Sequence, residues 1–316
     1  MPTVERRRLL ADILRILAVA VAYWATGRLG LLLSVTVEGA TVTPLWPPTG
    51  IAVAALLWMG LRVVPGIMLG AYLTIEHLSS FEPVDTAILA GNTLAPVCAY
   101  LMLRKAGFRL EMDRLRDGLA LVFLGGLLPM LISATIGAGT LVLTGDLPPD
   151  DFWSVWSAWW AGDAMGVLLV TPLLLVLPRL AMPKDPFRAL EAVLMLAACG
   201  AAAVFAAYSD LSLLFLVFPV LIWASVRFQH AGGAPCALLA SVIAIRAATD
   251  QNGPFADHTL FEIMVNLQGL NGSAALTMLL LSALVTEQNN IRVKIEQVCE
   301  ELAEVVDRLT PRRPEE

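Results

Sequence analysis

Charge is what this sequence has least of. Only 15% of its 316 residues are Asp, Glu, Lys or Arg, against 58% hydrophobic, and the mean hydropathy is +0.74. Soluble domains carry about 25% charged residues, so this chain has too little polar surface to cover one water-solvated globule. Lysine is almost missing, at three residues, and the net charge is −6; nothing points to nucleic-acid binding. Three histidines, His77, His230 and His258, stand alone in loops or loop edges, which argues against a metal site. The four cysteines, Cys98, Cys199, Cys236 and Cys299, form no CxxC and read as small apolar fillers. No cofactor is expected.

Long apolar runs are what the chain has instead. They cover 9–34, 46–60, 62–79, 85–104, 117–144, 152–178, 188–208, 211–228, 232–250 and 258–288, ten segments in all. The first is about 25 residues long, too long for a signal-peptide core and suited to a spanning helix. The pairs 46–79 and 211–250 are short, so each reads as two full spans or as a re-entrant hairpin. With the N-terminus inside, alternation places 19 of the 21 basic residues on the cytoplasmic side, all but Arg28 and Arg246. Glu82, Asp85, Asp146, Asp150, Asp151, Asp210 and Asp257 then fall outside. This satisfies the positive-inside rule and predicts an all-α polytopic bundle, N-in and C-in, with two short hairpins.

The first short pair, PLWPPTGIAVAALLWMGLRVVPGIMLGAYLTI over 44–75, carries the strongest punctuation. Pro47 and Pro48 open its first limb, Arg62 marks its inner tip, and Pro65 restarts the second limb. The stretch LVFPVLIWASVRFQHAGGAPCALLASV over 216–242 echoes it, which would suit a five-plus-five parallel repeat. Pro96, Pro129, Pro172 and Pro219 fall within apolar runs and predict kinks.

Asp163 is the residue most out of place, about eleven positions into segment six and roughly 16 Å deep at helical rise. A carboxylate there costs about 2.5 kcal/mol or more and normally faces a partner or a wet cavity. Arg28 and Arg246 are its candidate partners. Glu76 and Asn92 lie at similar outer depth, and Trp46, Trp153, Trp156, Trp159 and Trp160 gather on the same side. One reading is an outward-facing ligand pocket formed by Arg28, Trp46, Glu76, Asn92, Trp160, Asp163 and Arg246. The other is a structural Asp–Arg pair within an interfacial tryptophan belt.

After residue 288 the character changes. Ile291, Ile295, Val298, Leu302, Val305 and Leu309 follow a 4-3-4-3-4 spacing, the seam of a coiled coil. The expectation is a rigid helix continuing out of segment ten and pairing with a second copy, or else an amphipathic helix lying against the membrane. The chain therefore divides into a membrane part, 1–288, and a cytoplasmic signalling helix and tail, 289–316.

The segments GRLGLLL, PLWPPTGIAVAALLWMGLRVVPGIMLGAYL, GNTLAPVCAYLMLRKAGF, WWAGDAMGVLLVTPLLLV and FPVLIWASVRFQHAGGAPCALLA together resemble the type 1 bacterial membrane-associated sensor domains, MASE1, over about residues 10 to 295. Arg28, Trp46, Pro47, Pro48, Gly50, Arg62, Asn92, Trp160, Gly162 and Asp163 match that family's pattern. Thr74-Ile75-Glu76 departs from it, where the family often has Asn. The resemblance implies an integral sensory module of the bacterial plasma membrane, usually placed before kinase, cyclase, diesterase or phosphatase domains. No GGDEF-like or EAL-like string, kinase phosphoacceptor histidine or phosphatase carboxylate set is present, so no catalytic role is expected. The expected partners are the lipid bilayer, a second copy, and a separate histidine kinase, cyclase or phosphatase. A transport or substrate-capture subunit is the alternative.

Overall fold

The computed structural model describes residues 2–32, 34–37, 40–78, 81–180, 185–209, 211 and 213–309. Among the described residues, eight helices are long and apolar enough to cross a membrane, and Leu214–Phe228 is a shorter apolar helix. One of the eight, Pro47–Leu78, is bent at Gly60, where φ is +72°. It becomes two limbs, α2 (Pro47–Met59) and α3 (Val64–Leu78), that run in opposite directions. Glycine at the turn permits the left-handed backbone that reverses the chain. Counted with both limbs and the short helix, the bundle has the ten membrane segments that the hydropathy and charge pattern predict.

The remaining segments are α1 (Pro2–Leu31), α4 (Asp85–Lys105), α5 (Leu115–Ala120) with α6 (Leu128–Thr144), α7 (Phe152–Met165) with α8 (Thr171–Val176), α9 (Pro186–Tyr208), α10 (Val217–Phe228), α11 (His230–Thr249) and α12 (Leu260–Leu309). Between α1 and α2 lies a feature the all-α reading leaves out. Strands β1 (Val35–Val37) and β2 (Ala40–Val42) pair antiparallel, with Val35 opposite Val42. Val and Thr, five of the six strand residues, suit a strand, but so short a stretch between two long apolar runs carries too weak a signal to read as one.

Proline shapes the middle of the bundle. A widened π turn at Leu121–Leu127 precedes Pro129, and another at Gly166–Val170 precedes Pro172. Each proline removes a backbone N–H and crowds the carbonyl four residues earlier, and the wider turn relieves both. These are two of the four expected kinks. Pro96 sits inside one unbroken helix, and Pro219 falls in the first turn of α10, where its missing N–H costs little.

Close contact between helices is made at glycines. A Cβ on Gly66 would lie 2.4 Å from the Ile16 carbonyl, one on Gly70 would lie 2.6 Å from Tyr23 Cβ, and one on Gly27 would touch Thr74. These pairings put α3 parallel to α1 and in step with it, through small residues four apart. Carried four residues back from Gly66, the hairpin tip is level with the Asp12 turn of α1. The α2–α3 hairpin therefore runs beside α1 from Gly30 to the Asp12 turn, about 27 Å at helical rise, close to the ~30 Å of a hydrocarbon core.

The same neighbour pattern recurs later. Helices α2 and α3 each pack on α1 and α4, and α10 and α11 each pack on α9 and α12. The echo is thus a four-segment unit used twice, six segments apart, with α5–α6 and α7–α8 between. A five-plus-five division would not bring the two hairpins into correspondence.

At the cytoplasmic end the loops are tied together. Arg179 bonds Glu111 at 2.8 Å and the Leu110 carbonyl at 2.8 Å, and His230 Nε2 lies 3.0 Å from the Met112 carbonyl. Where α12 leaves the bundle, the Leu115 N–H donates to Glu287 at 2.9 Å. Beyond it α12 continues without a break to Leu309, so segment ten does run straight into the C-terminal helix.

Candidate functional site

Two glycine-bearing stretches, Trp46-Pro47-Pro48-Thr49-Gly50 and Gly162-Asp163-Ala164-Met165-Gly166, lie against each other. The Trp46 N–H donates to the Gly162 carbonyl at 2.9 Å. A Cβ would fall 1.9 Å from the Trp46 carbonyl at Gly166, 2.2 Å from the Thr43 carbonyl at Gly162, and 2.2 Å from the Gly166 carbonyl at Gly50. Any larger residue at these three positions would push backbone from backbone. Proline at the start of α2 leaves no N–H unpaired there, so the chain can enter beside α7 without a polar penalty.

This close approach brings Asp163 to its partners. Thr49 Oγ1 donates to Asp163 Oδ1 at 2.5 Å, and Ser133 Oγ donates to Oδ2. Trp159, whose ring rests on Gly137, lies beside the carboxylate. Tyr23, 1% exposed, lies beside Trp46 and within electrostatic reach of Asp163. Thr171, following the π turn, donates to the Gly50 carbonyl at 3.0 Å. Asp163 itself is 2% exposed. Its two oxygens are occupied by hydroxyl donors from α2 and α6, which satisfies a group that would otherwise be costly at this depth.

The seven residues expected to form one pocket do not converge. Asp163 and Trp46 share the contact just described, and Trp160 flanks it, with its indole N–H donating to the Leu127 carbonyl at 2.8 Å. Neither arginine is the partner of Asp163. Arg28 is exposed on α1 with Nη1 3.0 Å from His77 Nδ1, and Arg246 pairs with Asp250 at 2.9 Å, one turn along α11. Glu76 is exposed and accepts from the Phe81 N–H at 3.0 Å. Asn92 is half-buried on α4, next to Gly91, which packs on Ile136 and Ser133. Both basic candidates sit near helix ends with short-range partners, while the carboxylate is enclosed where hydroxyls reach it and long cations do not.

Thr49, Ser133, Thr171 and Tyr23 were not legible as site residues. Thr49 lies inside the Trp-Pro-Pro start signal, which reads as a helix cap, and Ser133 is one hydroxyl in an apolar run. Their meeting across 114 and 30 residues is a product of the fold.

The segment Thr43–Trp46 also reaches α12, where Gln268 Nε2 donates to the Pro44 carbonyl at 3.0 Å. Beside that bond lies a groove of about 440 Å³ between α7 and α12, with Trp160 and Gln268 among its walls. Trp160 is the one member of the expected pocket set that lines it. On the cytoplasmic half of α12, Ile291, Ile295, Val298, Leu302 and Val305 are 50–58% exposed, an apolar stripe facing outward. The Leu309 side chain and residues 310–316 lie outside what the structure describes.

A family model, MASE1, matches residues 15–289. No curated protein and no solved structure matches the chain.

Proposed function

The chain belongs to the MASE1 family of membrane sensory domains, and from that premise we propose that it is a non-enzymatic receptor whose output leaves the membrane through α12. The observation that carries this reading is the reach of that helix. Gln268 bonds the outer segment that also holds Asp163 in place, and Glu287 bonds the cytoplasmic loop at Leu115. The two points are about 29 Å apart along one uninterrupted helix. A change in the outer half that moves Gln268 is carried to the exit as a shift or rotation of a rigid rod, because a helix transmits such a displacement without bending locally.

Past the exit, the apolar stripe from Ile291 to Val305 suits pairing with a second copy. The paired helices form the two-state element that a ligand or membrane state biases, and a separate kinase, cyclase or phosphatase reads it. Asp163, Thr49 and Ser133 hold the frame against which α12 moves. Placement in the bacterial plasma membrane follows from this role.

The test fuses a reporter kinase after residue 309. Output that changes with Asp163→Asn supports the receptor, and output indifferent to it counts against it. Uptake of labelled solute by vesicles containing this chain alone would favour the transport alternative instead.

A further inference from the structure

The groove between α7 and α12 has features that the sensory role does not by itself require. On α7 it is lined by Ser157, Trp160 and Ala161, and on α12 by Met264, Gln268 and Gly269. Phe261 and Val265 at its mouth are 67% and 54% exposed, on a helix apolar enough to cross the membrane. Such side chains belong against acyl chains, so the mouth opens laterally into the bilayer. Anything that enters must first dissolve in lipid.

Besides the Ser154 and Ser157 hydroxyls in its wall, one amide atom of the groove is left with unused capacity. Gln268 is held by its nitrogen, which donates to the Pro44 carbonyl, and a carbonyl can accept only from that end of the amide. The side-chain oxygen, Oε1, is therefore fixed in orientation, and it is buried without a hydrogen-bond partner. One turn deeper on the same face of α12, Asn271 is fully buried with both amide atoms likewise unpartnered. Two amides with unused capacity, three residues apart in an apolar helix, are costly unless something pairs with them. Gln268 lines the groove and its free atom is an acceptor, so the complementary group is a donor.

We propose that this groove binds a lipid-soluble small molecule with an apolar body and a hydroxyl head, taken from the outer half of the bilayer. The head donates to Gln268 Oε1, and the body lies between Trp160 and Met264. A volume of about 440 Å³ is within the range that small-molecule sites use. Because Gln268 also ties α12 to the Asp163 frame, an occupant acts on the one contact that joins fixed and moving parts. This proposal supplies the ligand class for the sensory reading and rests on it for its consequence, though not for the binding itself.

The experiment uses the full chain in nanodiscs of phosphatidylethanolamine and phosphatidylglycerol, with a diazirine-bearing long-chain alcohol as the probe. After irradiation, label is expected on peptides covering 152–161 and 260–272, displaced by the plain alcohol. The methyl ether of the same probe should label about tenfold less, having lost its donor. Gly269→Phe should abolish the labelling by filling the groove, since a Cβ there meets nothing within 4 Å and the variant has room to fold. Gly139→Phe, on α6 and equally open, is the control that should label as wild type. Label spread evenly along all segments, equal labelling by the ether, or labelling unchanged in Gly269→Phe would overturn the proposal. The alcohol-to-ether comparison needs no variant, so it decides even if Gly269→Phe misfolds. Labelling as expected, with a fused kinase indifferent to the alcohol, would keep the site and remove the sensory reading.

Discussion

The hairpins α2–α3 and α10–α11 each turn at a residue with positive φ and return parallel to a neighbour, yet their interiors are built differently. In the first, Gly60 makes the turn, and buried hydroxyls find partners: Thr49 with Asp163, Thr74 with the Gly70 carbonyl. Its entry is pinned by backbone contact at Gly50, Gly162 and Gly166. In the second, the turn residue is Gln229, with φ +49°. Ser225 Oγ, Ser241 Oγ and His230 Nδ1 are buried without hydrogen-bond partners, as is Ser282 Oγ on the adjoining α12. Within the hairpin, a Cβ on Gly232 would meet Phe228 Cβ and the Ala224 carbonyl, but toward α12 the close contact, at Gly233, is with the side chains of Met278, Ser225 and Ser282. Backbone on backbone has one arrangement, whereas side chains on side chains have several. On the proposed function, the first hairpin serves as a frame and the second as a bearing for α12.

Substitutions can break that contrast, the largest at the frame. Gly166→Ala drives a methyl into the Trp46 carbonyl and should cost more than about 3 kcal/mol, seen as loss of monodisperse protein in detergent. Gly233→Ala, meeting side-chain atoms that can shift, should fold and lose only a few degrees of thermal midpoint. Next comes Asp163→Ala, which strands two buried hydroxyls on different helices. Thermal unfolding should show a loss of about 2–4 kcal/mol, and the double variant with Thr49→Val should lose less than the sum of the two single changes. Thr171→Val removes one hydrogen bond at nearly constant volume and should cost about 1 kcal/mol by the same assay. The smallest effect has the opposite sign. Ser225→Ala and Ser241→Ala in the second hairpin remove hydroxyls that bond to nothing in the structure, so stability should hold or rise slightly. A loss above 1 kcal/mol at either position, measured against that ~1 kcal/mol scale, would show a partner there and erase the difference between the hairpins.

The fold was legible where it depended on one-dimensional quantities. Apolar length and the punctuation by proline and glycine are local, and they were enough for ten segments and the hairpin at 44–75. Proline positions gave two real π turns but could not tell Pro129 and Pro172 from Pro96, because the difference lies in what surrounds each. The site was less legible. Asp163 announced itself by its cost, but charge alone suggested Arg28 and Arg246, and the true partners are the hydroxyls of Thr49 and Ser133. Those residue types are common in any membrane helix, so they carry no signal until folding brings them within 3 Å. The Trp-Pro-Pro-Thr-Gly and Gly-Asp-Ala-Met-Gly stretches were each conspicuous, but that they form the two sides of one contact is a three-dimensional fact. Gln268 was invisible for the same reason: its meaning comes from Pro44, 224 residues earlier.

That α12 carries the output as a rigid rod is tested most directly by changing its phase. Residues inserted one at a time after Glu287, in the chain fused to a reporter kinase, rotate everything beyond the exit by about 100° per residue. The account predicts output that is lost or inverted at insertions of one to three residues and recovered when seven restore the Ile291–Val305 seam. Output that is the same at every insertion length would contradict it.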